Sequence, residues 1–198
     1  MLLEVPGLNA LIAQRFTAAA FRLETLPAYQ VASDRHRGEG GGELSDFDRY
    51  LAGEPEPMWE RKQPWLDTLA AEREGLRYRY RVRVLGGPAG LSDYERYACE
   101  WGYAYNARAG EGVFVLDRGE RSVPSAVVDH DFWLLDDEVP IRMHYAEDYR
   151  FVGATVEPDL LDTYRAARDS ALAAAVPFAL WWARHPELRR AHRHSLAG

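Results

Sequence analysis

Positive and apolar side chains alternate along one short segment of the chain. Residues 77–84 read Arg-Tyr-Arg-Tyr-Arg-Val-Arg-Val. Successive side chains of a β-strand point to opposite faces, so this segment predicts a strand with guanidinium groups about 6 to 7 Å apart along one face. Such a row needs anionic neighbours, which are either carboxylates of the protein itself or a bound phosphate or carboxylate ligand. The sequence leaves both interpretations open.

A second set of polar side chains lies at the end of another predicted strand. His144 and Tyr145 end this strand, and Arg142 shares the face of His144 because it precedes it by two residues. A histidine and a tyrosine beside an arginine suit acid–base chemistry or the binding of an anion. A lone histidine on a strand is also commonly a hydrogen-bonded structural residue, and this alternative stays open.

Acidic residues are concentrated between residues 129 and 138. Asp129 and Asp131 flank His130, and three further acids follow at 136–138. Their oxygens suit a divalent cation, or one of them orients His130 as a base. In the alternative interpretation, the acids at 136–138 form a turn between strands, which aspartate favours. Asp129 and Asp131 then face the arginines across the sheet.

The histidines near the C-terminus do not show a zinc-ligand pattern. His185, His192 and His194 have no cysteine or carboxylate partner at ligand spacing. The sole cysteine, Cys99, has no adjacent base and is predicted to be a small core residue. We therefore predict no metal site and no cofactor.

Aromatic residues recur at helical spacing along a predicted helix from Asp93 to Tyr105. Ser92 and Glu95 are placed to form a capping box at its start. Tyr97 and Trp101 belong to the aromatic stripe, which is either core or, through tyrosine hydroxyls, part of a pocket. The candidate ligand-binding residues are Arg79, Arg81, Arg83, Asp93, Tyr97, Trp101, Glu111, Trp133 and Arg142, and the candidate catalytic residues are Asp131, His144 and Tyr145.

One mixed sheet is predicted to position these residues. Besides the arginine strand, strands are predicted at 112–116, 132–135, 139–145 and 151–156, the last two as a hairpin. Further helices are predicted at 8–21, at 45–52, at 64–74 with Gly75 just beyond its end, and from Pro158 to Pro177. The predicted fold class is α+β or α/β, with helices on one or both faces and the Ser92 and Pro158 helices sharing one face.

The domain organisation is predicted to be one compact unit. Residues 1–76 form a helical and extended segment with a glycine-rich loop at 33–43, residues 77–183 form the sheet and helix core, and residues 184–198 form a basic tail that frays. A chain of 198 residues that is 47% hydrophobic is long enough to bury a full core.

Composition limits the classes of function. The formal net charge of −7 argues against broad nucleic-acid binding. The single cysteine excludes an internal disulfide and suits a reducing cytoplasm. The apolar run at 171–183 is too short to cross a bilayer, so no membrane association is predicted. Only one lysine against many arginines, alanines and glycines suggests a GC-rich, actinobacterial gene.

Several motifs together carry a resemblance to a known family. They are FRLETL at 21–26, RVRV at 81–84, LSDY at 91–94, AGE at 109–111 and DFWLLDD at 131–137. In this combination the chain resembles the actinobacterial domain-of-unknown-function family six-eight-seven-nine over about residues 16–176. The resemblance implies association with helix-turn-helix regulators and no established reaction.

The second half is also similar to the phospholipase D-like fold, which regulators reuse as a sensor domain. Catalysis in that fold requires a lysine two residues after a histidine, whereas Ala146 follows His144 here. The resemblance therefore implies a noncatalytic form.

Two functional hypotheses follow. The first is a noncatalytic ligand-sensing or protein-interaction protein that acts with a helix-turn-helix regulator and binds a small anionic ligand or an acidic patch. The second is a metal-independent biosynthetic enzyme of secondary metabolism, of the cyclase or isomerase type, with acid–base residues near the arginine-lined sheet. Direct nucleic-acid binding through the arginines is disfavoured by the acidic net charge.

Overall fold

A mixed sheet of seven strands organises the part of the chain that this computed structural model describes, residues 1–30, 44–87 and 90–190. The strands are β1 Ala19–Glu24, β2 Tyr78–Leu85, β3 Gly112–Asp117, β4 Phe132–Leu135, β5 Val139–Tyr145, β6 Phe151–Val156 and β7 Val176–Pro177. Their order across the sheet is β6-β5-β4-β1-β2-β3-β7. β1, β2 and β3 run parallel to one another, and the other pairs are antiparallel.

Helices connect the strands and cover both faces of the sheet. They are α1 Val5–Arg15, α2 Asp46–Leu51, α3 Trp59–Glu74, α4 Asp93–Tyr97, α5 Ala104–Arg108, α6 Leu161–Ala174 and α7 Phe178–Arg184. A π-helix, Ala98–Tyr103, joins α4 to α5, and 3₁₀ turns lie at Pro158–Leu160 and Pro186–Leu188. This single α+β domain with a mixed sheet confirms the predicted fold class. No helix in the described ranges is both long and apolar enough to span a membrane.

Strand alternation divides the side chains between two different faces. On the face that we call the α6 face, Phe21, Val82 and Phe132 pack against Tyr164 and Ala171 of α6. The opposite face, which we call the arginine face, carries two separate apolar clusters, one beneath α1 and one beneath the α4–α5 segment and α7. The strand registers place the arginines of β2 on this second face, between the two clusters.

Four predictions about the helices are wrong. The helix predicted at 64–74 begins five residues earlier, at Trp59, so that Pro64 lies inside it. The first helix ends at Arg15 rather than at residue 21, and Ala19–Glu24 is instead the central strand. A short run buried on both faces does not alternate, so periodicity alone does not separate helix from strand. The predicted Asp93–Tyr105 helix is interrupted by the π-helix. The helices that Ser92 and Pro158 introduce lie on opposite faces, because they pack against strand residues of opposite parity.

The local capping signals match the structure more closely. Ser92 Oγ accepts a hydrogen bond from Glu95 N at 3.1 Å, and the Glu95 carboxylate accepts one from Ser92 N at 2.7 Å, which completes the capping box. Ser45 caps α2 through its side chain. Gly75 ends α3 with a φ of −77°, and the left-handed conformation falls on Leu76 with a φ of 58°.

The predicted fraying tail is folded as far as it is described. Arg190 donates hydrogen bonds to the carbonyl oxygens of Tyr50 at 3.0 Å and Glu54 at 2.6 Å, and so ties this end of the chain to α2. The predicted features that lie outside the described residues are the glycine-rich loop at 33–43, His192 and His194.

Candidate functional site

The middle of the arginine row is neutralised inside the protein. Arg81 donates from Nε and Nη2 to Oε1 of Glu111 at 2.8 and 2.6 Å, and from Nη1 to Oε1 of Glu24 at 3.0 Å. Tyr103 donates to the other oxygen of Glu24 at 2.8 Å, and Asn106 to the other oxygen of Glu111 at 2.9 Å. All five side chains belong to buried residues. Two buried carboxylates therefore match this one guanidinium.

Arg83 is fully enclosed at 0% exposure. Its Nη1 donates to the hydroxyl of Tyr29 at 3.0 Å, and its Nη2 donates to the carbonyl oxygen of Leu26. The carboxylate of Glu95 lies 3.7 Å from Nη2. Arg83 thus fixes the segment after β1 to both β2 and α4.

Arg79 of β2 and Arg22 of the neighbouring strand β1 each pair with a carboxylate and lie over an aromatic ring. Arg79 donates from Nε and Nη2 to the two oxygens of Glu72 at 2.5 and 2.8 Å. Arg22 of β1 lies 3.1 Å from Oε1 of Glu24. Both guanidinium groups lie over the ring of Trp133, at 5.8 Å for Arg79 and 5.4 Å for Arg22. Trp133 therefore serves as a platform for two arginines through cation–π contacts.

The electrostatics of this network favour the ionised state of each member. Burial alone would raise the pKa of Glu24, but Arg22, Arg81 and Arg83 hold that pKa well below its ordinary value. Burial opposes the charge of Arg81, yet Glu111 and Glu24 raise its pKa. Loss of one partner would leave an uncompensated buried charge. This arrangement supports the interpretation in which the protein's own carboxylates accompany the arginine row.

Three predicted ligand-binding residues of the α4 region lie away from the cavity described below. Asp93 is exposed and accepts a hydrogen bond from Arg96 at 3.1 Å. Tyr97 and Trp101 pack with their ring centres 6.2 Å apart, and both rings contact Tyr50 of α2. These aromatic contacts join α2 to the α4 segment.

A cavity of about 400 Å³ lies at one end of the sheet, where β1 and β5 end and β4 begins. We call it the strand-end cavity. Its lining includes His130, Asp131, Arg142, His144 and Tyr145. In the sheet, β1 lies between β2 and β4, and the chain that leaves β1 continues to β2, away from β4. Crevices for ligands commonly form at strand ends where connections diverge in this way, and the volume suits a small molecule.

Arg142 brings a positive charge to this cavity. It lies opposite Phe132 of β4 and Thr155 of β6, which places it on the α6 face. Within the described part of the chain, Arg142 makes no hydrogen bond and no ion pair, and its Nε is buried without an acceptor. Buried donors in proteins are nearly always satisfied. Other arginines, such as Arg22 and Arg83, share an unsatisfied Nε, so Arg142 differs from them in that its whole guanidinium group forms no hydrogen bond or ion pair among the described residues.

His130 lies between two hydrogen-bond acceptors. Its Nδ1 is 3.2 Å from Oδ1 of Asp129, and its Nε2 is 3.0 Å from the oxygen of Tyr164. Tyr164 donates its own proton to Oε2 of Glu157 at 2.5 Å, so its oxygen is left as an acceptor toward His130. Both ring nitrogens of His130 therefore have an oxygen atom within hydrogen-bonding distance. The hydrogen bond from His130 in turn lowers the pKa of Asp129.

His144 shows the opposite pattern. Its Nε2 lies 2.8 Å from Oγ1 of Thr155, which donates its own proton to Oε1 of Glu157 at 3.3 Å, so Nε2 is the donor. In the neutral ring, Nδ1 then carries a lone pair, and no described residue forms a hydrogen bond with it. Burial and the nearby charge of Arg142 lower the pKa of His144 below its ordinary value of 6.5.

The three predicted catalytic residues all line the strand-end cavity, but they do not form one hydrogen-bonded unit. His144 belongs to the α6 face, whereas Asp131 and Tyr145 have the parity of the arginine face. Asp131 accepts hydrogen bonds from Thr25 N at 2.7 Å and from the Tyr29 hydroxyl at 2.6 Å. Burial raises the pKa of both Asp131 and Tyr145.

Sequence reasoning missed three members of the chain that links the two histidines. Tyr164 fits the apolar stripe of α6, and neither Thr155 nor Glu157 belongs to a motif. Hydrogen bonds bring them together, because Glu157 accepts from both Tyr164 of α6 and Thr155 of β6. One signal in the sequence could have indicated them: Thr155 and Glu157 are polar residues two positions apart, and therefore on the same face, at the end of an otherwise apolar strand.

Comparison with known proteins identifies a family and no activity. The family model described as Domain of unknown function (DUF6879) matches residues 7–183, which confirms the predicted family. Searches of curated proteins and of solved structures find no match. The actinobacterial origin, the association with regulators and the likeness to the phospholipase D-like fold stay predictions.

Proposed function

We propose that this chain, which belongs to the family of domains of unknown function DUF6879, is a noncatalytic protein that binds a small anionic ligand. The binding site is the strand-end cavity of about 400 Å³. The observation that carries the proposal is the guanidinium of Arg142, which lines this cavity and has no hydrogen bond or ion pair among the described residues.

The charges around Arg142 support an anionic ligand. Glu157 is occupied by the hydroxyl protons of Tyr164 and Thr155, and Asp129 is exposed and hydrogen-bonded to His130. These hydrogen bonds orient the two carboxylates without neutralising them. Among the described residues, neither these carboxylates nor those of Asp131 and Glu147, which also line the cavity, form an ion pair with Arg142. A guanidinium binds a carboxylate or phosphate through two parallel N–H donors, and such charge-assisted bonds are the stronger ones.

His144 adds a second requirement for the ligand. His144 lines the same cavity on the same strand face, two residues from Arg142, and its Nδ1 forms no hydrogen bond with a described residue. A hydroxyl group on the ligand can donate to this nitrogen while the anionic group binds the guanidinium. The ligand class that matches both partners is a small hydroxy acid.

The test is an isothermal titration with two probes that differ only in one hydroxyl group, L-malate and succinate, with inorganic phosphate as a third. The expected result is binding of malate in the millimolar range or tighter, with succinate weaker. Arg142→Gln is expected to weaken malate binding by about tenfold to a hundredfold, because a charge-assisted hydrogen bond is lost.

Arg15→Gln is the matched control, since Arg15 is an exposed arginine of α1 whose one ion pair within the described residues, with Glu138, is 4.0 Å long. The control is expected to bind malate as the wild type does. Equal malate affinity in Arg142→Gln and the wild type would contradict the proposal, as would the absence of binding by all three probes at about 10 mM.

The wider role that we propose for such a binding protein is that of a ligand sensor acting with a helix-turn-helix regulator. This part of the proposal rests on the resemblance of the sequence motifs described above. Its test is co-purification of the native protein with a regulator, with and without malate present. A malate-dependent change in the regulator captured is the expected outcome.

Acid–base catalysis is the second candidate, and the hydrogen-bond pattern of His144 favours it. A neutral imidazole with its proton fixed on Nε2 presents Nδ1 as a base, and the lowered pKa keeps it unprotonated near neutral pH. Proton abstraction next to a carbonyl group is the reaction class that such a base serves in an isomerase.

Deuterium exchange separates this candidate from simple binding. The probe is 2-oxoglutarate in D₂O, with incorporation at C3 followed by NMR. Catalysis predicts exchange above the buffer rate in the wild type and its loss in His144→Gln. Noncatalytic binding predicts exchange at the buffer rate in both proteins.

A further inference from the structure

A cluster of side-chain atoms of the kind that bind metal ions lies near the other edge of the sheet, where β3 ends. Asp117, Glu120 and His185 each place one nitrogen or oxygen atom so that the three atoms lie within 4.8 Å of one another. Asp117 ends β3, Glu120 lies in the turn that follows, and His185 directly follows α7. The cluster therefore joins the edge of the sheet to the last helix.

His185 is oriented in the manner of a metal ligand. Its Nδ1 lies 2.8 Å from the carbonyl oxygen of Trp181, and because a carbonyl oxygen only accepts, Nδ1 carries the hydrogen. Histidines that bind metals commonly donate their second nitrogen to a carbonyl in this way. The other nitrogen, Nε2, faces Oε1 of Glu120 at 3.4 Å. With the hydrogen on Nδ1, Nε2 of the neutral ring presents its lone pair on the side of Glu120, where a metal ion could accept it.

Asp117 supplies an independent indication of a cation. It is only 9% exposed. Its two oxygens accept hydrogen bonds from Gly119 N at 2.7 Å and from Trp181 Nε1 at 3.1 Å, and both donors are neutral. No arginine or lysine in the described ranges forms an ion pair with it. Buried charges in proteins are generally paired or coordinate a metal, and among the described residues this carboxylate has only neutral hydrogen-bond donors.

Glu120 keeps one oxygen available for a ligand. Its Oε2 lies 3.2 Å from Arg184, whereas Oε1 is the atom that faces His185. The ion pair with Arg184 therefore holds the carboxylate in place without occupying the atom directed at the cluster.

We propose that Asp117, Glu120 and His185 bind a first-row divalent metal ion of the zinc class. One imidazole nitrogen and two carboxylate oxygens are a donor set that Zn²⁺ and its neighbours accept, with the remaining position left to water. The ion would connect β3 to α7 and neutralise Asp117. Sequence spacing gives no sign of this site, because the carboxylates lie more than 60 positions before His185 and only the fold brings them together.

The test uses the full-length protein with His192 and His194 changed to asparagine, so that the terminal histidines do not compete. The protein is stripped with a chelator and titrated with Co²⁺ and then Zn²⁺ at neutral pH. The expected result is one equivalent of Co²⁺ with the visible absorption of a low-coordinate site, displaced by Zn²⁺. At a hundredfold excess over Kd, Zn²⁺ is expected to raise the Tm by about 5–10 °C.

His185→Asn and Glu120→Gln are each expected to abolish the absorption and the Tm shift, whereas the control His36→Asn keeps both. Unchanged metal binding in His185→Asn would overturn the proposal. The absence of stoichiometric binding at neutral pH would also overturn it.

Discussion

Arg81 and Arg142 lie on opposite faces of the same sheet and differ in what surrounds their charge. Arg81 is buried between two carboxylates and has three hydrogen bonds to them. Arg142 lines a cavity and makes no hydrogen bond or ion pair among the described residues. The guanidinium group is the same in both residues. An arginine with carboxylates in contact stabilises the fold, whereas one without them is available to a ligand.

The largest expected effect is the loss of Arg81. Arg81→Gln would leave Glu24 and Glu111 buried without their shared cation, which is expected to lower the free energy of unfolding by about 3–5 kcal/mol. Chemical denaturation measures this change. A variant as stable as the wild type would show that the arginine face is not held together by these ion pairs.

A smaller loss is expected at the other end of the same network. Glu95→Gln removes the carboxylate that lies 3.7 Å from Arg83 and weakens the two bonds from Gly86 N and Ser92 N. The expected cost is about 1–3 kcal/mol. Chemical denaturation measures this cost as well. A cost equal to that of Arg81→Gln would show that the ion pair of Glu95 with Arg83 stabilises the fold more than its 3.7 Å distance indicates.

The pH dependence of anion binding sharpens the contrast further. His144 has a lowered pKa in the folded protein, so the stability that comes from its neutral form is present above its ordinary value of 6.5 and is lost as the pH falls through the folded value. Protonation in that window gives the His144 ring a positive charge. The charged ring lies beside Arg142, and Glu157 and His130 are the other titratable groups near it. The affinity for sulfate, whose charge is constant here, is expected to rise a few-fold, or about 0.5–1 kcal/mol.

Titration calorimetry with sulfate below and above this window measures the change, and His144→Gln serves as the control without the titrating group. If the affinity of the wild type for sulfate does not change with pH, then His144 does not contribute to the anion site.

The smallest expected effect on stability is that of Arg142→Gln. The substitution removes no hydrogen bond or ion pair made within the described chain, so the free energy of unfolding is expected to change by about 0.5 kcal/mol or less. A loss comparable to that of Arg81→Gln would show that Arg142 is structural, and the comparison between the two faces would fail.

Strand alternation made much of the sheet predictable from the sequence. The strands at 132–135, 139–145 and 151–156 occur with the predicted bounds, because their apolar residues and turns are local signals. The centre of the sheet was harder to predict, since β1 is buried on both faces and resembles a helix in periodicity. The π-helix after α4 leaves no mark in the spacing of its residues.

The pairing state of each arginine could not be predicted. The carboxylates that surround Arg81 lie 57 and 30 positions away in the sequence, at Glu24 and Glu111. Their contact depends on parallel pairing of β1, β2 and β3, which no local pattern specifies. For the same reason the sequence suggests anion sites both on the arginine row and at Arg142, and only the structure shows that Arg142, on the other face, has no hydrogen bond or ion pair among the described residues.

The most direct test of this account is a ¹H–¹⁵N spectrum of the arginine Nε–H signals during a titration with L-malate. The account predicts that the signal of Arg142 shifts with the concentration of malate, while the signals of Arg81 and Arg83 stay in place. Shifts at Arg81 or Arg83 without a shift at Arg142 would contradict it, because the paired arginines would then be the ones that bind the ligand.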